Sequence, residues 1–481
     1  MSRKILFTLI VLMLVSVGLY HTYKPLPAGI SHNGAERPLS DAVLLIDATY
    51  HHSDGSETLN QEIFDEILRL INQAESFVLV DMFLFNSSSP EGVAHRPLSK
   101  QLTEALISRK AEQPELEIVV ISDPLNTLYG GSVSPWFQAL RQAGISVTET
   151  NLEPLRDSNP TWSAFWRVCC QWLGNNSGGG WLPNAIGSQP VTIRSYLALP
   201  NFKANHRKIL VTDDGNNLRA LITSANPHDG SSRHSNTAIS FTGPAVIDVL
   251  KSEQAVLNMS GQSSPALNRL ISAALTTQTT NQQPMGKIAV KTESAILESA
   301  LQMITGAQRG SRLDLAFFYL SHREIVAALL DAHERGVNLR ILLDANNEAF
   351  GHQKSGIPNR QVALELHKAG IPIRWCKTSG EQCHSKSLML RPKVGPTELL
   401  LGSANFTRRN LDDLNLETDV WVSVPADSPV AKKAVNFFEQ QWRSGPDSDP
   451  VMSLPYEHWA DNSTVRYWRY RLMEATGLST F

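Results

Sequence analysis

Residues 205–213 read Asn-His-Arg-Lys-Ile-Leu-Val-Thr-Asp, with Ser224-Ala225-Asn226 downstream. Residues 383–391 read Cys-His-Ser-Lys-Ser-Leu-Met-Leu-Arg, with Gly402-Ser403-Ala404-Asn405 downstream. Each copy runs His-x-Lys, an apolar stretch, then Ser-Ala-Asn. Ser224 follows His206 by 18 residues and Ser403 follows His384 by 19. One His-x-Lys carries little information. A second, at nearly the same distance from a second Ser-Ala-Asn, implies a duplication and two half-sites that meet for one piece of chemistry. The apolar stretch is strand-like, and strand residues i and i+2 share a face, so each His and its Lys point together.

The repeat extends outward from these cassettes. Residues 77–86 (FVLVDMFLFN) match residues 313–322 (LDLAFFYLSH) as a buried strand, and a helix-like segment follows each, at 98–109 and 325–335. Residues 118–123 (IVVISD) match 339–344 (LRILLD), both ending in Asp. Residues 140–147 (LRQAGISV) match 366–373 (LHKAGIPI) as a helix end, a Gly stop and a third strand. Strands alternating with helices indicate an α/β fold with a largely parallel or mixed sheet and helices on both faces. His206 follows Ala143 by 63 residues, whereas His384 follows Ala369 by 15. The first half therefore carries an insert, about residues 150–205. Residues 276–284 (TTQTTNQQP) are polar and low in complexity, as in a linker. The expected units are an N-terminal segment 1–25, a first domain 40–265, a linker 266–284, a second domain 285–450 and a tail 451–481.

At 481 residues the chain exceeds the usual size of one domain, which agrees with two core-bearing units. Hydrophobic content of 42% and charged content of 19% exclude a disordered chain. A net charge of −3 argues against a broad nucleic-acid-binding surface, so no nucleic-acid partner is favoured. Four cysteines do not make a disulfide scaffold. Cys376 and Cys383 would pair in an oxidising compartment or else pack as small apolar groups; Cys169 and Cys170, being adjacent, are expected to pack that way.

Arg3 and Lys4 precede residues 5–20, which carry no charge. That run is long for a signal-peptide core and slightly short for an average spanning helix. Positive charge before it places the N-terminus in the cytoplasm and the body across the membrane. A single-pass anchor is the expectation, with a cleaved signal and a secreted protein as the alternative.

The paired motifs resemble the phospholipase D superfamily, whose signature is His-x-Lys-x4-Asp followed by Gly-Ser/Gly-x-Asn. The resemblance covers about residues 45–445 and occurs twice. It implies two homologous phospholipase D-like α/β-α sandwich halves with mixed sheets and an active site at their pseudo-two-fold interface. The first motif matches at His206, Lys208 and Asp213; the second matches at His384 and Lys386, but Arg391 stands where Asp is expected. Asp213 is expected to be structural. Asn415-Leu416-Glu417 fits the family's Asn-x-Glu and offers Glu417 as an orienting partner for His384, while the first half has Asn236-Thr237-Ala238 and lacks that carboxylate. The family usually uses its N-terminal histidine as nucleophile, which implies His206.

The residue types suit this chemistry on their own account. Attack on a phosphodiester needs a nucleophile, neutralisation of the equatorial oxygens and a proton for the leaving alkoxide. Imidazole serves as nucleophile or as general acid near neutral pH, so two histidines divide the roles. Lys208, Lys386, Ser224, Asn226, Ser403 and Asn405 would supply positive charge and donors to the phosphoryl oxygens. No cofactor and no metal are required, and no cluster of metal-ligand spacing is evident. His228 and His234 lie close enough after Asn226 to line the cleft.

Six of the ten tryptophans fall outside the repeat. Trp162, Phe165 and Trp166 have helical spacing in the insert, followed by Trp172 and Trp181; Trp459, Tyr467, Trp468 and Tyr470 lie in the tail beside Arg466, Arg469 and Arg471. Aromatics beside Arg suit a membrane interface, and equally suit caps packed over the core. The sequence thus points to a membrane-anchored phosphodiesterase or phosphatidyltransferase acting on a phospholipid. An extracytoplasmic nuclease and a non-catalytic phosphate-binding scaffold are the alternatives. Oligomeric state is not legible.

Overall fold

The computed structural model describes residues 2–479 apart from 91, 185, 216, 277–283, 350–351 and 446. Two large mixed sheets carry the two halves. The first has the order Glu57–Gln61, Asp41–His51, Asn236–Thr242, Leu218–Thr223, Lys208–Asp213, Phe77–Met82, Glu117–Ser122, Ser146–Glu149. The second has the order Arg37–Leu39, Gly286–Thr292, Thr418–Val424, Thr397–Gly402, Lys386–Arg391, Arg312–Phe317, Asn338–Leu343, Ile373–Cys376, Ser453–Pro455. Seven strands correspond one to one. In each half the His-x-Lys strand runs antiparallel to its neighbours, while the next two strands out are parallel. The halves are α/β halves of one architecture, as expected.

Strand alternation divides the core into three. Leu79, Ile209, Val211 and Ile222 of the first sheet share one cluster with Met389, Leu399, Leu401 and Val422 of the second. Their neighbours point the other way: Val78, Val80 and Leu210 pack under the helices of the first half, and Leu313, Leu388 and Leu400 under those of the second. Strands buried on both faces account for the unbroken apolar runs in the sequence. The covering helices are amphipathic. Glu62–Gln73 buries Ile63, Phe64, Ile67, Leu70 and Ile71 at helical spacing, and its first turn holds Glu62 and Asp65, favoured by the helix dipole. Two further helices cross between the halves: Ala245–Met259 packs on strand Gly286–Thr292, and Pro429–Arg443 on strand Asp41–His51.

Several boundaries differ from the sequence reading. Residues 265–276, most of the first part of the expected linker, form the helix Pro265–Thr276, because Leu267 and Ile271 reach the shared core; residues 277–283 lie outside the described residues. Strand Arg37–Leu39 precedes the first half in sequence yet pairs with the second sheet. The tail is not separate: Ser453–Pro455 extends the second sheet, and helix Thr464–Thr476 buries Tyr470 completely in that half's core. The two matched strands are also offset by one residue from the sequence alignment, since Phe77 sits where Arg312 does. Cys376 is bonded to Cys383 and Cys169 to Cys170, the latter instead of simple apolar packing.

Candidate active site

His206 and His384 line one cavity of about 390 Å³ between the halves. Each is placed by the opposite half. The His206 amide donates to the Leu416 carbonyl at 2.9 Å, and the His384 amide donates to the Ser235 carbonyl at 2.8 Å. The residue before each histidine is pinned by the Asp that ends a neighbouring strand: Asn205 N–H donates to Asp123 at 2.6 Å, and Cys383 N–H to Asp344 at 2.8 Å. Both Asp residues are fully enclosed, and burial raises them to about 7 and about 6. The sequence held this signal, because each strand ends in Asp at the matched position, but only the fold assigns it a purpose.

The side-chain partners also cross over, and here the structure corrects an expectation. Glu417 does not orient His384. Its carboxylate lies 2.9 and 3.0 Å from Nδ1 of His206 and also accepts from the Ser403 hydroxyl and the Asn410 amide. Nδ1 of His384 instead faces Asn236 Oδ1 at 3.0 Å. The second strand after each cassette begins beside the histidine of the other half, so sequence order within one half assigns the wrong partner. Each arrangement fixes the proton on Nδ1 and leaves Nε2 with a lone pair. Asn236 also donates to the His234 carbonyl at 3.1 Å, which sets the orientation of its amide.

Lys208 and Lys386 sit beneath the cavity, fully buried. Lys208 Nζ donates to the His206 carbonyl at 2.6 Å and Lys386 Nζ to the His384 carbonyl at 2.8 Å. Phe83 and Phe318 pack on the two imidazoles, with ring centroids 4.7 and 5.1 Å apart. Burial and the two ammonium groups hold both histidines well below the ordinary imidazole range. Burial lowers Lys208 to about 7 and raises Glu417 to about 8. Two buried lysines beneath two imidazoles make the cavity favourable for an anion.

The four residues expected on phosphate divide. Asn226 and Asn405 line the cavity, and Asn405 Oδ1 is buried without a partner. Ser224 and Ser403 lie behind it. Ser224 Oγ donates to Asn236 at 2.9 Å and Ser403 Oγ to Glu417, so each supports the partner of a histidine rather than facing the cavity. His234 lines the cavity with its ring 5.8 Å from His384; His228 is bonded to Ser231.

Residues 300–442 match the family model described as cardiolipin synthase, PLD-like domain. Over 151 residues the chain is 29% identical to mitochondrial cardiolipin hydrolase of Xenopus laevis, covering 31% of this chain and 62% of that one. Over 200 residues it is 24% identical to phospholipase D Y of Dictyostelium discoideum, covering 37% of this chain and 40% of that one. Both matches span less than two thirds of the relative. Over residues 300–442 the chain carries a PLD-like domain, and it is similar to members of the phospholipase D superfamily. A crystal structure of phosphatidylserine synthase from Haemophilus influenzae Rd KW20 shares its fold, with a TM-score of 0.55 at 10% identity over 90% of this chain and 94% of that one.

The departure from the superfamily motif at Arg391 has a physical account. Asp213 lies at the far end of its strand from Lys208, about 17 Å away at strand rise, and accepts from Ser76 N–H and O–H and from Phe77 N–H. It ties two strand ends together. Arg391 occupies the equivalent end of the second sheet and pairs with Asp314 and Glu439, joined by Arg340. Where the first half ties its strand ends with a carboxylate on neutral donors, the second does so with a guanidinium between two carboxylates. Behind His206, Arg207 is fully buried between Glu253 and Glu293 at 2.8 and 2.7 Å, and Glu293 also accepts from Glu417 N–H. Nothing in the sequence marks this network. His51, Glu57 and Glu381 also come together, which spacing did not foresee. The two ring nitrogens of His51 face different carboxylates, at 3.1 and 2.8 Å, so the cluster bridges the halves.

Proposed function

We propose that this chain is a membrane-anchored phospholipase D-type enzyme that hydrolyses or transfers the phosphodiester of a phospholipid through a phosphohistidine. The observation that carries the reading is the single cavity lined by both imidazoles, each with Nδ1 occupied by a group from the opposite half.

His206 Nε2 attacks phosphorus, and the P–O bond to the leaving alcohol breaks. The alkoxide takes a proton from Nε2 of His384, which gains that proton from solvent when the phosphodiester anion enters and offsets the two lysines. Positive charge grows on the His206 ring as the P–N bond forms, and Glu417 neutralises it. His384, now neutral, accepts a proton from water or a second alcohol; that oxygen attacks phosphorus and releases His206. The asymmetry of partners sets the division of labour. A carboxylate favours the imidazole that must become cationic on attack, whereas the neutral amide of Asn236 leaves His384 the more willing to surrender its proton. Asn226 and Asn405 donate to the equatorial oxygens, with Lys208 and Lys386 supplying charge from below.

The likeness to cardiolipin-acting and phospholipase relatives favours a lipid diester. Arg3 and Lys4 before the apolar helix favour an extracytoplasmic body, as do the paired cysteines. Purified protein given mixed phospholipid vesicles, or single-stranded DNA, tests the reading. Release or exchange of a lipid head group that vanishes in His206→Ala is the expected result. Cleavage of DNA alone would establish the nuclease alternative, and no turnover of either would favour a phosphate-binding scaffold.

A further inference from the structure

Helix Arg3–Tyr23 has 21 residues, an 18-residue stretch of it has a mean hydropathy of 2.1, and most of its side chains are exposed. One face of its last two turns is not. Gly18 and Thr22 are buried. A β-carbon on Gly18 would meet that of Ala164 at 3.5 Å and the Pro160 carbonyl oxygen at 3.6 Å. The His21 carbonyl accepts from Asp157 N–H at 2.9 Å, and the Lys24 carbonyl accepts from Arg156 at 2.9 Å. The anchor is therefore built into the insert rather than tethered to it.

Length then fixes depth. Twenty-one helical residues span about 31 Å, which the roughly 30 Å hydrocarbon layer takes up entirely. Gly18 must then lie inside the outer leaflet, and so must the start of helix Pro160–Cys169 packed against it. The insert's surface agrees. Trp162 donates its indole N–H to the Leu197 carbonyl, and Trp166 is buried beneath Arg194. Phe165, Val168, Trp172, Leu173 and Trp181 point outward, with Trp172 75% and Trp181 69% exposed. The aromatics with helical spacing thus divide between packing and exposure.

We infer that the insert is an interfacial shelf immersed in the outer leaflet beside the anchor, and that it admits lipid sideways to the histidines. A second cavity of about 270 Å³ lies behind Trp166 and Arg167 and shares Tyr129 and Lys203 with the histidine cavity. It supplies the passage from the leaflet. The entry route rests on the phospholipid reading above; the immersion does not.

The test uses the full chain reconstituted in phosphatidylcholine–phosphatidylglycerol vesicles. The difference in emission between the parent and Trp172→Phe/Trp181→Phe should be quenched by lipids brominated near the head group. Val168→Asp with Leu173→Asp, both at exposed sites, should lower turnover of vesicle lipid at least about ten-fold, because an acidic group at that depth opposes lipid seating. Turnover of soluble bis(p-nitrophenyl) phosphate should stay within about two-fold, since the reacting groups are untouched. An unquenched difference signal overturns the shelf. Quenching with equal losses on both substrates, or with no loss, overturns the entry route. Quenching with no phospholipid turnover by the parent leaves the shelf standing and removes the phospholipid reading instead.

Discussion

Glu417→Gln isolates the charge that His206 depends on. The substitution keeps the side chain's size and removes the negative charge that Glu417 takes up as the His206 ring becomes cationic. In the parent the two carboxylate oxygens lie 2.9 and 3.0 Å from Nδ1 of His206. As Nε2 bonds to phosphorus the ring becomes cationic, with its charge centre about 4 Å from the carboxylate. At an effective dielectric of about 20 that attraction is about 4 kcal/mol. It exists in the transition state and not with a neutral ring, so it appears in kcat, as a loss of about 10³-fold. The assay is turnover of a short-chain soluble phosphodiester, with the alcohol burst followed in a single turnover and Tm measured alongside. The burst rate should fall with kcat while KM stays within a few-fold. Stability should change little, because burial already raises Glu417 to about 8 and makes its ionised form costly. A kcat within about ten-fold of the parent, or a loss confined to KM, would refute the assignment of His206 as the carboxylate-supported nucleophile.

Asn236→Asp places a carboxylate beside Nδ1 of His384 and raises that imidazole's affinity for its proton; the alkaline limb of the kcat profile, where the general acid is lost, should move to higher pH, and an unmoved limb would exclude His384 from that role. His206→Gln and His384→Gln should each lower kcat by at least about 10³-fold, and a chelator should leave the parent unchanged; activity restored by a divalent ion after chelation would contradict a metal-free mechanism. Both histidines are held below their unfolded value near 6.5, so the stability they contribute is present above that pH and is lost as pH falls through it. The double variant should therefore lose less Tm between pH 7 and pH 5 than the parent, and comparing the two cancels the buried carboxylates, which act in the opposite sense. Arg391→Ala strips Asp314 of one of its two cations and should cost roughly 1–3 kcal/mol of stability with kcat unaltered, measured by urea unfolding and turnover.

The sequence by itself determined the duplication, the α/β class and the two histidines. Those features are local: apolar runs that are buried on both faces, and a His-x-Lys pattern that a strand's two-residue period turns to one side. The matching Asp123 and Asp344 were also visible, although not what they hold. Tertiary structure alone decided which group orients which histidine. Glu417 lies 33 residues beyond His384, yet it serves His206, 211 residues away, because each sheet delivers its strand end to the opposite half. Ser224 and Ser403 read as phosphate ligands but turn inward, where their hydroxyls donate to Asn236 and Glu417. Arg391 read as a broken motif, but it meets Asp314 and Glu439, carboxylates that only the folded sheet and the helix Pro429–Arg443 bring to that strand end. Periodicity tells a side chain which face to take; the partner on that face comes from a chain segment whose distance in sequence carries no information about its distance in space.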